Sequence, residues 1–204
     1  MQMSLSLAEM LAFNAVLVAA ILAPGAALLY FIKTAMTSGT MASLMTGIGL
    51  GTAAALWTLA ALLGLEAVFT LFPWTYTALK VAGAAYLIWI AIQTWRQAND
   101  PLKHAPMPRR RAFLSGVLLN AGNPKSMLFA AAVILVVFPA GLTPMDIAVI
   151  VINHWLLELA FYSGLCVLLT SAPARRFYIS LKPVFDRIAA TLLGALGLRL
   201  LLEK

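Results

Sequence analysis

The chain has 204 residues, of which 63% are apolar and only 10% are charged, and its mean hydropathy is +0.95. A soluble domain carries roughly 25% charged residues, so this composition predicts an integral membrane protein. The net charge of +7 does not indicate nucleic-acid binding, because the basic residues lie between apolar segments. The single cysteine, Cys166, excludes an intramolecular disulfide and a dithiol redox mechanism.

Six apolar runs, separated by breaks rich in glycine, proline and charge, predict six transmembrane helices of roughly 20 residues or more. In chain order they are Leu5–Ile32, Met41–Leu63, Trp74–Trp95, Phe113–Phe138, Met145–Ser171 and Pro183–Leu202. Because these runs and their connections fill the chain, we predict an all-α integral membrane protein with a single transmembrane domain over 1–204.

The basic residues cluster in the connections that follow the third and fifth predicted helices. These are Arg96, Lys103 and Arg109–Arg111 in the first connection, and Arg175, Arg176 and Lys182 in the second. The connections on the other side, around Glu66 and Gly141, contain no lysine or arginine. The positive-inside rule therefore places the basic connections in the cytoplasm, and six crossings then place both termini outside.

The two halves of the chain resemble each other. At a constant offset of 100 residues four positions are identical, among them Pro24 and Pro124. We divide the chain into a first repeat over about 5–95, a basic cytoplasmic connection over about 96–112 and a second repeat over about 113–204. Because each repeat has three spans, the two insert with opposite orientations as an inverted repeat.

The two prolines lie deep within the first and fourth predicted helices and are expected to interrupt them. At about 1.5 Å per residue, Pro124 lies roughly 17 Å from the start of its helix and Pro24 roughly 12 Å from the cytoplasmic end of its own. Both breaks therefore fall near the bilayer midplane, where freed backbone groups must face protein or a water-filled cavity. Paired broken helices in an inverted repeat are typical of a transporter's substrate site; two unrelated proline kinks are the alternative.

Polar and small residues surround both breaks. Unpaired backbone at a broken helix, and the N-terminus of a half-helix, suit a substrate that carries a carboxylate. We predict that the substrate is bound by Pro24, Gly25, Asn120, Asn123, Pro124 and Lys125. For Lys125 the alternative is a structural ion pair or a side chain that reaches the membrane interface; for Asn120 it is capping of the freed carbonyls.

The fifth predicted helix contains an acid at membrane depth, Glu158, with His154 and Tyr162 four residues to either side and therefore on the same face. A carboxyl group in a medium of low dielectric ionises less readily, and histidine titrates near neutral pH. We therefore predict that these three residues couple transport to proton movement. The alternative is a pairing of Glu158 with Lys125 or His154 that only holds helices together.

Two glycines of the second predicted helix, Gly47 and Gly51, have the four-residue spacing at which membrane helices approach closely. We expect them to pack against another helix of the same chain. A homodimer contact through the same face is the alternative.

Three motifs resemble the lysine exporter and homoserine/threonine exporter (LysE/RhtB) superfamily. They are Pro24-Gly25, the third-helix pattern from Lys80 to Tyr86-Leu87, and the fourth-helix signature of Phe113, Gly116, Asn120, Asn123-Pro124-Lys125 and Phe129. The family's first helix carries Pro-Gly-Pro, whereas this chain has Ala26 at the third position. The resemblance implies a secondary transporter, not an enzyme, that exports amino acids or similar small metabolites across a bacterial inner membrane in exchange for protons.

Three other functions are less consistent with the residues. Metal-ion efflux calls for soft or imidazole ligands, and the chain has only His104 and His154, far apart in sequence. A membrane enzyme is not favoured, because no Ser/His/Asp cluster or acidic metal-binding motif lies outside the spans. A structural subunit, whose midplane polar groups serve packing alone, is the third. We expect no cofactor, no resident metal and no nucleic-acid partner.

Overall fold

The computed structural model describes residues 5–22, 25–64, 71–96, 98–99, 107–138, 141–170 and 172–202. Within these ranges all regular secondary structure is α-helical, which confirms the predicted all-α class. The helices, numbered in chain order, are α1 (Leu7–Leu22), α2 (Ala26–Ser38), α3 (Thr40–Leu62), α4 (Pro73–Arg96), α5 (Arg109–Ala121), α6 (Pro124–Val137), α7 (Pro144–Leu169) and α8 (Ala172–Leu202).

Helix α3 lies at the centre and contacts α2, α5, α6 and α7, whereas α4 and α8 pack mainly against each other. Polar contacts give the direction of α5 relative to α3. The Thr46 hydroxyl donates to the carbonyl of Ala112 at 3.3 Å, and the Asn120 side chain donates to the carbonyl of Leu50 at 2.7 Å. Because residue numbers rise together along both helices, α3 and α5 run parallel.

The contact between α3 and α5 is a close approach of two backbones. A Cβ atom at Gly49 would overlap the carbonyl oxygen of Phe113, and one at Gly116 would overlap the carbonyl oxygen of Thr46. Only glycine therefore fits at these two positions. Small residues at such an interface let membrane helices gain dispersion contacts that larger side chains would prevent.

The other glycine pair of α3 faces α7. A Cβ atom at Gly47 would lie 2.7 Å from Cβ of Tyr162, and one at Gly51 would lie 3.0 Å from Cβ of Glu158. Residue numbers fall along α7 as they rise along α3, so the two helices run antiparallel. The expected packing of Gly47 and Gly51 within one chain is confirmed.

Helices α4 and α8 also run antiparallel. A Cβ atom at Gly194 would lie 3.6 Å from Cβ of Ala91, and the guanidinium of Arg187 lies 5.7 Å from the ring centre of Trp95. A cation over an aromatic face at this distance is attractive, so the contact joins the end of α4 to the middle of α8.

The first predicted helix, Leu5–Ile32, is in the structure two helices, because α1 and α2 are inclined to each other by 60°. Helix α2 also continues past the predicted end, as far as Ser38. Pro24 lies outside the described residues.

The fourth predicted helix also consists of two parts, which confirms that it is interrupted, but the interruption lies just before Pro124 and not at it. Helix α5 ends at Ala121 and α6 begins at Pro124, so this proline opens a helix instead of interrupting one. At the first position of a helix the missing N–H of proline costs no intrahelical hydrogen bond. The break therefore lies at Gly122 and Asn123.

Two predicted helix starts are also wrong. Helix α5 begins at Arg109 instead of Phe113, and α8 begins at Ala172 and contains Pro183 as an interior residue. In both cases basic residues lie in the added turns. Backbone hydrogen bonds form within a helix for basic and apolar residues alike, so a helix can extend beyond the apolar segment from which its start was predicted.

Within the described part of the chain, α3 and α7 are each long and apolar enough to cross a bilayer, and α1 with α2 would form a third, bent span. Together with the composition, these helices identify a membrane protein that crosses the bilayer more than once. The predicted count of six crossings and the inverted repeat stay predictions.

Candidate functional site

A cavity lies between α1, α2, α3, α5, α6 and α7. Most of the predicted site residues line it, namely Gly25, Asn120, Asn123, Lys125, His154, Glu158 and Tyr162. Pro124 is not among the lining residues, and Pro24 lies outside the described part of the chain.

The Asn120 side chain is the centre of a hydrogen-bond network beside the cavity. Its amide nitrogen donates to the carbonyl of Leu50 on α3 at 2.7 Å. Its amide oxygen accepts from the amide of Asn123 at 3.0 Å and from the hydroxyl of Ser126 at 2.6 Å. Both ends of the amide are occupied, and the residue is 2% exposed. Asn120 therefore ties the break between α5 and α6 to α3.

Asn123 caps the second half of the broken helix. Its side-chain oxygen accepts the backbone N–H of Lys125 at 3.1 Å, which is the contact that an N-cap residue makes with the second residue of a helix. Pro124 follows as the first residue of α6. The Asn-Pro-Lys sequence is thus a local signal for a helix start, and it fixes where Lys125 leaves the backbone.

The other broken helix meets Lys125 at Gly25. Gly25 precedes α2 and supplies no side chain to cap its first N–H groups. A Cβ atom at Gly25 would lie 3.4 Å from Cδ and 3.6 Å from Nζ of Lys125. The N-terminus of a helix carries partial positive charge and favours anions. The start of α2 and the Lys125 ammonium therefore make one side of the cavity electropositive.

A polar chain beside the cavity links α3 to α7. The hydroxyl oxygen of Thr58 lies 2.7 Å from Nδ1 of His154, and Nε2 of His154 lies 3.6 Å from Oε1 of Glu158. The Glu158 carboxylate also interacts electrostatically with Lys125 and Tyr162. A proton on His154 therefore needs only a small side-chain movement to reach Glu158.

Two atoms of this group are buried without a hydrogen-bond partner among the described residues. They are Nε2 of His154 and Oε2 of Glu158, on side chains that line the cavity and belong to residues only 2% and 7% exposed. An unpaired buried polar atom costs about 1–3 kcal/mol, so such atoms are few in folded proteins. Their presence at a cavity marks a place where a polar ligand is favoured.

Aromatic rings enclose His154. Phe13 of α1 and Phe129 of α6 lie edge-on to its imidazole, with ring centres 5.8 and 6.2 Å away. Phe13 is fully buried, so these rings limit access of water to one side of the imidazole. In the described part of the chain no group of three or more His, Cys, Asp or Glu residues is arranged to hold a metal ion.

The sequence prediction missed Thr58 and Ser126. The sequence carried a signal for Thr58, because Gly47, Gly51 and Thr58 lie at helical spacing on the face of α3 that contacts α7. Ser126 had no such signal, since its contact with Asn120 depends on the shape of the break.

Comparison with known proteins identifies the family of the chain. The family model described as LysE type translocator matches residues 18–204. The threonine efflux protein of Escherichia coli (strain K12) is 27% identical over 198 residues, which cover 92% of this chain and 94% of that protein. The homoserine/homoserine lactone efflux protein of Salmonella typhimurium is 32% identical over 126 residues, or 60% of this chain and 59% of that protein. No solved structure matches the chain. The chain therefore belongs to the LysE type translocators of the LysE/RhtB superfamily, which are transporters and not enzymes.

Proposed function

We propose that this protein exports amino acids or similar small metabolites from the bacterial cytoplasm, in exchange for protons, through the cavity between its two broken helices. One observation carries the proposal: the described residues predicted for substrate binding, apart from Pro124, and those predicted for proton coupling line the same cavity. Relatives named for threonine efflux and for homoserine and homoserine lactone efflux support a substrate of this size and polarity.

The electropositive side of the cavity is the proposed site for the substrate's carboxylate. Lys125 supplies its side-chain amino group there, and the uncapped start of α2 after Gly25 supplies N–H donors. Asn120 and Asn123 act differently in this proposal. Their side chains hold the break between α5 and α6 in place, so they position Lys125 instead of contacting the substrate.

Glu158 and His154 are the proposed proton-coupling groups, with Tyr162 one turn further along α7. The distance of 3.6 Å between His154 and Glu158 supports proton transfer between them. The burial of both residues, and the contacts of His154 with Phe13 and Phe129, support a path that does not leak protons freely to bulk water.

The proposed topology has six crossings arranged as two inverted repeats, with the basic connections in the cytoplasm of an inner-membrane protein and both termini outside. Helix directions support it: α3 runs parallel to α5 and antiparallel to α7, and α4 runs antiparallel to α8. Helix pairing supports it too. In the inverted repeat, α1, α2, α3 and α4 correspond to α5, α6, α7 and α8. The counterparts α3 and α7 pack together, and so do α4 and α8. Helix α1 contacts α6, the counterpart of α2, and α2 contacts α5, the counterpart of α1.

The experiment is release of labelled amino acids from bacteria that express the chain. Cells are loaded with dipeptides that yield L-threonine, L-homoserine and other amino acids, and release is compared with cells that carry an empty vector. We expect faster release of at least one amino acid, and slower release when a protonophore collapses the proton gradient. Lys125→Met is expected to abolish the gain, whereas Arg110→Met, at an exposed position far from the cavity, is expected to keep it. Release equal to the empty-vector control for every amino acid would overturn the proposal.

A further inference from the structure

The cavity is lined by groups of opposite charge. Lys125 and the start of α2 are electropositive. Oε2 of Glu158 and Nε2 of His154 are buried without a hydrogen-bond partner among the described residues, and Nε2 lies 3.6 Å from the other carboxylate oxygen, Oε1. A carboxylate offers about four acceptor positions, so the interaction of Glu158 with Lys125 leaves acceptor capacity unused. An ammonium group, with three N–H donors and no acceptor, is the complement of that capacity.

We propose that Glu158 binds the α-ammonium group of the substrate, and that substrate and coupled proton occupy this carboxylate in turn. The proposal rests on the proposed function and adds to it the orientation of the substrate. A zwitterionic α-amino acid lies with its carboxylate toward Lys125 and α2 and its ammonium toward Glu158. It thereby enters the interaction between Lys125 and Glu158 and gives each charge a new partner.

This arrangement makes exchange a consequence of charge. A deprotonated Glu158 attracts an ammonium group, whereas a protonated Glu158 is neutral and no longer does. The proton that neutralises the carboxylate therefore releases the substrate. The next substrate molecule can bind only after that proton has left the carboxylate. No bond other than that of the transferred proton is made or broken.

The charged surroundings of Glu158 limit which groups can perturb this exchange. The titratable residues that line the cavity with it are His154 and Tyr162 on α7 and Lys125 on α6. The residues that α1, α2, α3 and α5 contribute to the lining are all uncharged, and α8, which also contacts α7, contributes none. Among the described lining residues Glu158 is thus the acid available to an ammonium group.

The first measurement is the pH dependence of substrate binding to the purified full-length protein. The probe is L-threonine, or L-homoserine if that is the amino acid released in cells, and binding is read from the rise in melting temperature. For the wild type we expect the half-saturating concentration to rise as pH falls, up to about tenfold per pH unit once protons compete for one carboxylate. Glu158→Gln is expected to bind weakly with little pH dependence. Glu9→Gln, the same change in an N-terminal helix cap, is expected to behave as the wild type.

The second measurement separates the two ends of the substrate. We compare L-threonine with 2,3-dihydroxybutanoate, in which a hydroxyl replaces the ammonium, and with L-threoninol, which lacks the carboxylate. A site built for a polar group rejects the analogue that lacks it, on the order of 100-fold or more. Glu158→Gln is expected to lose discrimination against 2,3-dihydroxybutanoate while keeping that against threoninol, and Lys125→Gln is expected to show the reverse.

The outcomes distinguish this proposal from the one on which it rests. If the wild type releases no amino acid in cells, the proposed function fails and the orientation fails with it. If the wild type exports and binds an amino acid but Glu158→Gln discriminates as before, or the wild type binds 2,3-dihydroxybutanoate equally well, only the ammonium site is overturned. Because the wild-type pH series and analogue comparison need no variant, a misfolded Glu158→Gln protein does not remove the test.

Discussion

The hydroxyl oxygen of Thr58 on α3 lies 2.7 Å from Nδ1 of His154 on α7, and both residues are buried. A hydroxyl that donates to Nδ1 leaves the proton of the neutral imidazole on Nε2, the atom that faces Glu158 at 3.6 Å. In the proposed mechanism the Thr58 hydroxyl is the donor, so that α3 sets the nitrogen of His154 that carries the proton toward the acid. We therefore propose Thr58 as a positioning residue for the proposed proton transfer.

Thr58→Val keeps the shape of the side chain and removes the hydrogen bond to Nδ1. A hydrogen bond worth about 1 kcal/mol corresponds to roughly a fivefold change in rate, so we expect export at neutral pH to slow by about that factor. We also expect the pH profile of export to move, and Thr58→Ser to restore both. A loss of thermal stability with an unchanged pH profile would show that the contact only holds α3 to α7.

Asn120→Ala removes three side-chain hydrogen bonds at once and leaves the amide of Asn123 and the hydroxyl of Ser126 without the acceptor to which they donate. Hydrogen bonds between membrane helices are individually modest, averaging about 0.6 kcal/mol, so we expect a total loss of roughly 2 kcal/mol. The measurement is the melting temperature of the detergent-solubilised protein. Asn99→Ala, at an exposed turn, is the control. Equal melting temperatures for the two variants would contradict the role given to the Asn120 network.

Local sequence signals predicted which residues line the cavity better than they predicted the helix ends. Asn123 acts on its neighbours in sequence through its side chain, as an N-cap, and Pro124 acts as a first helical residue, so their identity located the break without any tertiary information. Glu158 and His154 share a face because they are one helical turn apart. Those relationships follow from chain geometry alone.

What the sequence could not predict depends on contacts between helices. Asn120 lines the cavity as expected, but its amide is occupied by Leu50, Asn123 and Ser126, and only the packing of α3 against α5 reveals this. The starts of α5 and α8 were misplaced because hydropathy reports where a side chain prefers lipid, not where backbone hydrogen bonding begins.

The glycines of α3 and α5 provide a matched set for testing that packing. Gly49→Ala and Gly116→Ala each place a Cβ atom against the backbone of the other helix, α5 or α3. Backbone atoms in a helix cannot move aside individually, so the overlap is relieved only if the two helices separate. Overpacking of this kind costs about 1–3 kcal/mol. Gly164→Ala on α7 adds the same atom where no heavy atom lies within 4 Å, so higher helix propensity should leave it neutral or slightly stabilising. Melting temperatures that fall for all three variants alike would contradict the close approach of α3 and α5.

The proposed topology predicts that the start of α5 and the start of α7 lie on opposite sides of the membrane. Cys166 is buried, and Cys166→Ala gives a background without thiols. In that background we introduce Arg110→Cys or Met145→Cys, both at exposed positions. A membrane-impermeant maleimide is expected to label Met145→Cys in intact cells and Arg110→Cys only after permeabilisation.

The labelling pattern also tests whether α5 and α6 together form one crossing. They are separated by a break, and neither is long enough to cross alone at about 1.5 Å per residue. If they cross as a pair, the residues before α5 and after α6 face opposite compartments. Labelling of both cysteines from the same side would mean that α5 and α6 enter and leave on one face. The inverted repeat would then fail, although the cavity and its charged sides would remain. A reversed pattern, with Arg110→Cys labelled in intact cells, would keep the crossing and overturn only the orientation, placing the basic connections outside.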